Sequence, residues 1–148
     1  MTTTAPFSEP VETYFSAVTA LRRWQQFDLG WVQIVPDNVP LRTGTTVAVK
    51  AHALGIWTLS APRVVYVVNE TGEIIRFGFA YGTLPAHVGS GEERFLVEWD
   101  RNDDSVWYDI LAFSRPRHQM VQVCRPYARR LQKRFAKESM SRMLAVVS

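Results

Sequence analysis

Between Thr45 and Phe113 the apolar residues of this chain recur at every second position in short runs, and the connections between runs are too brief to hold a crossover helix. That pattern points to a largely antiparallel sheet. Thr46 to Ala53 and Trp57 to Ser60 flank Gly55, while Val64 to Val68 and Ile74 to Tyr81 flank Asn69-Glu70-Thr71-Gly72, a composition suited to a hairpin turn. A second hairpin joins Arg94–Trp99 to Val106–Phe113 through the acidic loop Asp100 to Asp104. Within Phe77 to Tyr81, the residues Phe77, Phe79 and Tyr81 point one way and Gly78 and Ala80 the other. The small residues leave one face open to close approach by a helix or a ligand.

On either side of this segment the period lengthens. Val11, Phe15, Val18 and Leu21 recur at helical spacing, with Tyr14 and Trp24 widening the stripe, and this predicts one amphipathic helix from near Pro10 to about Gln26, capped by Ser8. Pro10 suits the first turn, where a missing N–H leaves no intrahelical acceptor unpaired. Asp28 to Gly30 breaks the helix, Trp31 to Val35 reads as a short strand, and Pro36 to Gly44 reads as a loop. After Pro116 a helical segment is expected from about Arg117 to Val146, with Met120, Val123, Tyr127, Leu131 and Phe135 as its apolar stripe. Pro126 should kink or divide it, and Ser114 is placed to cap it. Helix, curved antiparallel sheet and long C-terminal helix is the order of an α+β helix-grip fold, expected here as a single domain over residues 1–148.

A chain of 148 residues can bury about 70% of the surface its unfolded form exposes. Five Trp, five Tyr and eight Phe exceed what a minimal core needs, so some are candidates to line a cavity. Cys124 is the sole cysteine, which excludes an intramolecular disulfide and a multi-cysteine zinc site; no metal or cofactor is expected. The Thr-rich start lacks the basic and apolar regions of a signal peptide, and no run approaches the ~20 apolar residues of a membrane span. The reducing cytoplasm is the expected compartment. The net charge of +3 is unevenly spread: from Arg115 onward nine bases face one acid, while the first 114 residues hold eight bases and thirteen acids.

The chain's densest group of polar side chains lies in FGFAYGTLP from Phe77 to Pro85, then His87, Gly91-Glu92-Glu93-Arg94-Phe95, and Phe113-Ser114-Arg115-Pro116. These YGTLP..H, GEE.F and FSRP motifs resemble, in order, those of the uncharacterised family called domain of unknown function nineteen-ninety. The resemblance extends to Arg23-Trp24-Gln25-Gln26-Phe27, Gly30-Trp31-Val32, Ile34-Val35-Pro36 and the helix around Gln132, and so covers most of the chain. That family looks START-like, which implies a helix-grip fold and an apolar ligand held between sheet and C-terminal helix. Its members begin with a strand before the first helix, so in this chain that strand is either absent or displaced into residues 2–7.

A His near a carboxylate can act as general acid or base, and a Tyr can donate to an oxyanion, so His87, Glu92 and Tyr81 are the catalytic candidates. Without catalysis the same groups brace the turn. Ligand-binding candidates are Trp31, Phe77, Phe79, Tyr81, Thr83, His87, Glu93, Trp107 and Arg115, with Trp24, Trp57 and Trp99 as further aromatic wall. Arg115 can meet an anionic ligand or pair with Glu92 or Glu93. The expected partner is a small hydrophobic or amphipathic molecule. The basic run Arg125, Arg129, Arg130, Lys133, Arg134 and Lys137 reads as a solvated helix face or an anion-binding surface. No recognised nucleic-acid motif accompanies it, and nucleic acid is not the expected partner.

Overall fold

The computed structural model describes residues 2–5, 9–36, 39–53, 55–82, 89–116 and 125–147. The N-terminal strand sought in the leader is present: β1, Thr2–Ala5, pairs antiparallel with Ser105–Pro116, the last strand. Helix α1 spans Pro10–Arg22 with Pro10 in its first turn, followed by a 3-10 turn at Gln25–Phe27. Strands β2 (Val32–Val35), β3 (Ala48–Ala53) and β4 (Ile56–Ser60) come next. Then follow β5 (Arg63–Glu70), β6 (Ile74–Gly82), β7 (Gly89–Asp100) and β8 (Ser105–Pro116), and helix α2 at Arg125–Val147 closes the chain.

These strands form two sheets. The larger has the order β1-β8-β7-β6-β5 and the smaller β2-β3-β4, every pair antiparallel. Both expected hairpins of the larger sheet are present. The Gly55 hairpin instead joins β2 in the smaller sheet, which meets the larger one through a bridge between Thr46 and Arg63.

Helix α1 buries part of the expected stripe and turns away from the rest. Val11 and Phe15 are 40% and 59% exposed, whereas Tyr14, Ala17, Ala20, Leu21 and, just beyond the helix, Trp24 are buried. The inner face of the large sheet carries Phe77, Phe79 and Phe95, and a helix lying over such bulk approaches closest with alanines against it. The helix stops at Arg22 rather than near Gln26 because Trp24 takes a left-handed conformation, with φ of 58°. Trp24 is fixed there by its indole N–H, which donates to the Val39 carbonyl at 2.9 Å.

Alternation along β6 holds: Phe77 and Phe79 join the core and Gly78 turns to the outer face. The space beside Gly78 is taken by the neighbouring strand, since a Cβ there would fall on the Phe95 carbonyl oxygen and 2.9 Å from the Leu96 Cα. Helix α2 lays Phe135, Ser139, Met140 and Met143 against the core, while Leu131 is only partly buried. Pro126 is the second residue of the described helix, and the segment before Arg125, on which the expected kink or division depends, lies outside the described residues. Residues 117–124, with Met120, Val123 and Cys124, lie outside the described residues, as does the Ser8 cap.

Candidate functional site

Cross-strand register assembles the inner face in rows. Phe77, Val97 and Tyr108 face one another across β6, β7 and β8; Phe79, Phe95 and Ile110 form the next row, and Tyr81 and Glu93 the one after. The first two rows are sealed. Phe77 and Phe79 are 2% and 0% exposed, Arg22 covers the Phe77 ring at 4.3 Å, and Trp24 packs on Phe79 at 5.0 Å. Where α1, β8 and the last turns of α2 meet, the described residues leave a void of only about 20 Å3, the size of a single water.

The third row is polar and less completely buried than the first two. The Tyr81 hydroxyl donates to Glu93 Oε1 at 3.1 Å, and both residues keep partial access to solvent. Around them stand the rings of Phe27 and Phe95, at 5.7 and 5.6 Å from Tyr81, with Phe135 packed on Phe27 at 5.2 Å. An aromatic setting disfavours a charge. Burial therefore raises the Glu93 carboxyl to about 7, against the opposing pull of the Tyr81 hydrogen bond. Burial and the neighbouring carboxylate push the Tyr81 hydroxyl well above its ordinary value. Farther in, the Tyr108 hydroxyl and Ser139 share a buried hydrogen bond of 2.9 Å that ties α2 to β8. Burial raises Tyr108 as well.

The three motifs meet at this end of the sheet. Gly82 of β6 opposes Glu92, which opposes Phe113; Gly91 opposes Ser114, and Ser90 opposes Arg115. The FSRP segment is thus the end of β8 rather than a turn, so Ser114 is a strand residue and not a helix cap. Arg115 reaches the right edge by its backbone, and its side chain lies outside the described residues. So do Thr83 and His87. Strand alternation sends Glu92 and Glu93 to opposite faces, and it is Glu93 that joins Tyr81.

Other candidates are engaged elsewhere. Trp31 donates its indole N–H to Glu138 at 3.0 Å under the Arg134 guanidinium, which lies 4.3 Å from its ring, so it braces the chain before β2 against α2. Trp107 opposes Glu98 on the outer face and bonds Ser105 Oγ at 2.8 Å. Trp57 stacks on His52 in the small sheet at 4.3 Å. On α2, Arg129, Arg130, Lys133 and Lys137 are exposed, as a solvated face requires, and Arg134 pairs with Glu138 at 2.7 Å. No group of three or more metal-ligating side chains occurs among the described residues, and none of the described helices is long and apolar enough to cross a membrane.

One residue had no place among the sequence candidates. Gln26 is fully buried, and among the described residues neither its Oε1 nor its Nε2 has a partner. A glutamine between Trp24 and Phe27, in a stretch otherwise turned inward, is the signal that marks it.

A family model described as Domain of unknown function (DUF1990) matches residues 2–142. Among curated proteins, the chain is 39% identical over 145 residues to a UPF0548 protein of Dictyostelium discoideum and 33% identical over 141 residues to one of Arabidopsis thaliana. Each alignment covers 93% of this chain and 67% of the relative. A UPF0548 protein of Deinococcus radiodurans is 38% identical over 133 residues, covering 82% of this chain and 64% of its own. The chain thus spans about two thirds of the length of these relatives. Among solved structures, a hypothetical protein from Helicobacter pylori has a matching fold, with a TM-score of 0.69 at 12% identity over 100% of this chain and 86% of the other.

Proposed function

The chain belongs to the family described as Domain of unknown function (DUF1990), and from that premise we propose that it binds a small amphipathic molecule at the polar end of the inner face, between sheet and C-terminal helix. One observation carries the reading: the Tyr81–Glu93 pair is set among aromatic rings yet stays partly accessible to solvent. A carboxyl in such a place is a poor element of a dry core and a good handle for a ligand with an apolar body and a polar end. Near pH 7 Glu93 is divided between a neutral form that donates and an ionised form that accepts. The unpartnered Gln26 amide, next in sequence to Phe27, is a second polar group in want of a partner.

Native mass spectrometry of freshly purified protein should reveal a co-purified small molecule, and a dansyl-labelled fatty acid should bind with quenching of tryptophan emission. Glu93→Gln and Tyr81→Phe should each weaken the probe while the melting point is kept at pH 5. Probe binding that ignores both substitutions sinks the assignment.

A second reading rests on the same carboxyl. An acid–base catalyst works best with a pKa near the operating pH, which is the condition burial creates at Glu93, with Tyr81 as donor. Turnover of a bound ligand that vanishes in Glu93→Gln would favour this reading; turnover that survives it would remove Glu93 from the role.

A further inference from the structure

We propose that the pocket between the 3-10 turn and β2 is a second binding site, shaped for a small aromatic carboxylate. Its volume is about 590 Å3, within the range of small-molecule sites. Tyr81 and Glu93 are not among its described walls. It takes one side from the 3-10 turn and the residues just before it, and the other from β2 and Pro36.

The lining is rich in donors and short of free acceptors of charge. Arg23 has no acidic partner among the described residues. The one acid among the described lining residues, Asp28, is already paired with Arg142 at 3.2 Å. The side chains of Gln25 and Gln33 also contribute amide donors that no described hydrogen bond of the fold uses. A free guanidinium beside two amides selects an anion, and a carboxylate matches the guanidinium fork with two parallel hydrogen bonds. The apolar part of the wall that a flat ring can reach is Val35, 48% exposed, with the exposed Pro36, backed by the almost wholly buried Trp24, Phe27 and Ile34.

The backbone supports the same reading. Trp24 is a bulky residue held at φ of 58°, a conformation that persists only where the surroundings enforce it. Here the enforcement comes from its hydrogen bond to Val39 and from the packing of its ring between Phe27 and Phe79, at 6.0 and 5.0 Å. That kink turns the chain between Arg23 and Gln25 and brings both to one pocket. A continued helix would set them a hundred degrees of rotation per residue apart, about 200° around its axis.

The test is an NMR titration of the full 15N-labelled chain with sodium benzoate, with benzyl alcohol as the uncharged counterpart and inorganic phosphate as the anion without a ring. Benzoate should shift the Trp24 indole and the Gln25 and Gln33 side-chain signals saturably, binding about tenfold tighter than benzyl alcohol, the usual effect of one charge-assisted pair. Arg23→Gln should bring benzoate down to the level of benzyl alcohol while the Trp31 and Trp99 indole signals of the free protein stay in place. Equal binding of the two ligands by the native chain overturns the proposal, as does benzoate affinity untouched by Arg23→Gln. Phosphate binding as tightly as benzoate refutes the aromatic half of the assignment. Shifts centred on Tyr81 and Glu93 instead would refute this site and leave the one proposed above standing.

Discussion

Replacing Glu93 by Gln keeps the size of the side chain and an acceptor for Tyr81 but removes the titration. In the folded chain burial holds the carboxyl at about 7 instead of 4.5. Below 4.5 both folded and unfolded chains carry the proton and the group is silent. Between 4.5 and about 7 the folded chain keeps a proton that the unfolded chain has lost, so stability falls as pH rises through this window. Above it both states are ionised, and the fold bears the full penalty of a carboxylate among aromatic rings. At 1.36 kcal/mol per pH unit this is at most about 3 kcal/mol, reduced by the solvent access that the site retains. For a domain of this size that ceiling corresponds to roughly 6–12 °C in melting temperature. The assay is a set of thermal or urea melts of native protein and Glu93→Gln from pH 4 to pH 8. The variant should match the native chain near pH 4 and gain on it steadily up to pH 8. Parallel profiles would show that the carboxyl is not held neutral by its surroundings, and both readings of the site would lose their chemical basis.

Phe135→Ala should lower stability by about 3–5 kcal/mol, because its ring packs on Phe27 and Phe95, whereas exposed Lys133→Ala should stay within about 0.5 kcal/mol in the same melts. Tyr108→Phe leaves Ser139 buried without its partner and should cost about 1–3 kcal/mol, much of it recovered in the double variant with Ser139→Ala; a double variant worse than the sum would contradict this. Gly78→Ala should fail to fold or melt far lower, since its Cβ falls on backbone that cannot swing aside; a melting point within a few degrees of native would mean that β6 and β7 separate easily.

The hairpins were readable because their signals are local: turn residues at 69–72 and 100–104 sit between runs of period two. Parity along β7 was equally available. Glu93 stands two residues before inward-facing Phe95, so it and not Glu92 had to share a face with Tyr81. What escaped was non-local. Nothing in Trp31 to Val35 says that its partner is β3 rather than an edge of the larger sheet, because an alternating strand fits either. Helix α1 carries apolar residues on more than one side, and the choice went to Ala17 and Ala20 because of the aromatic bulk opposite them, which its own sequence does not contain. Trp24 looks like the next residue of that helix, and only its contacts with Val39, Phe27 and Phe79 explain why the helix ends before it.

The smaller sheet has a consequence for how the molecule moves. Its inner strand is anchored by Val32 and Ile34 in the core, but its outer strand leaves Ile56, Trp57 and Leu59 at 64%, 54% and 72% exposure, held mainly by backbone pairing with β3. Strands held so lightly open without global unfolding, while central ladders packed on both faces do not. Amide protons of β4 should therefore exchange with deuterated solvent orders of magnitude faster than those of Phe95 to Val97 in β7. Because Ile34, Val35 and Pro36 belong to the anchored strand and its end, opening of β4 should leave the walls of the Arg23 pocket in place.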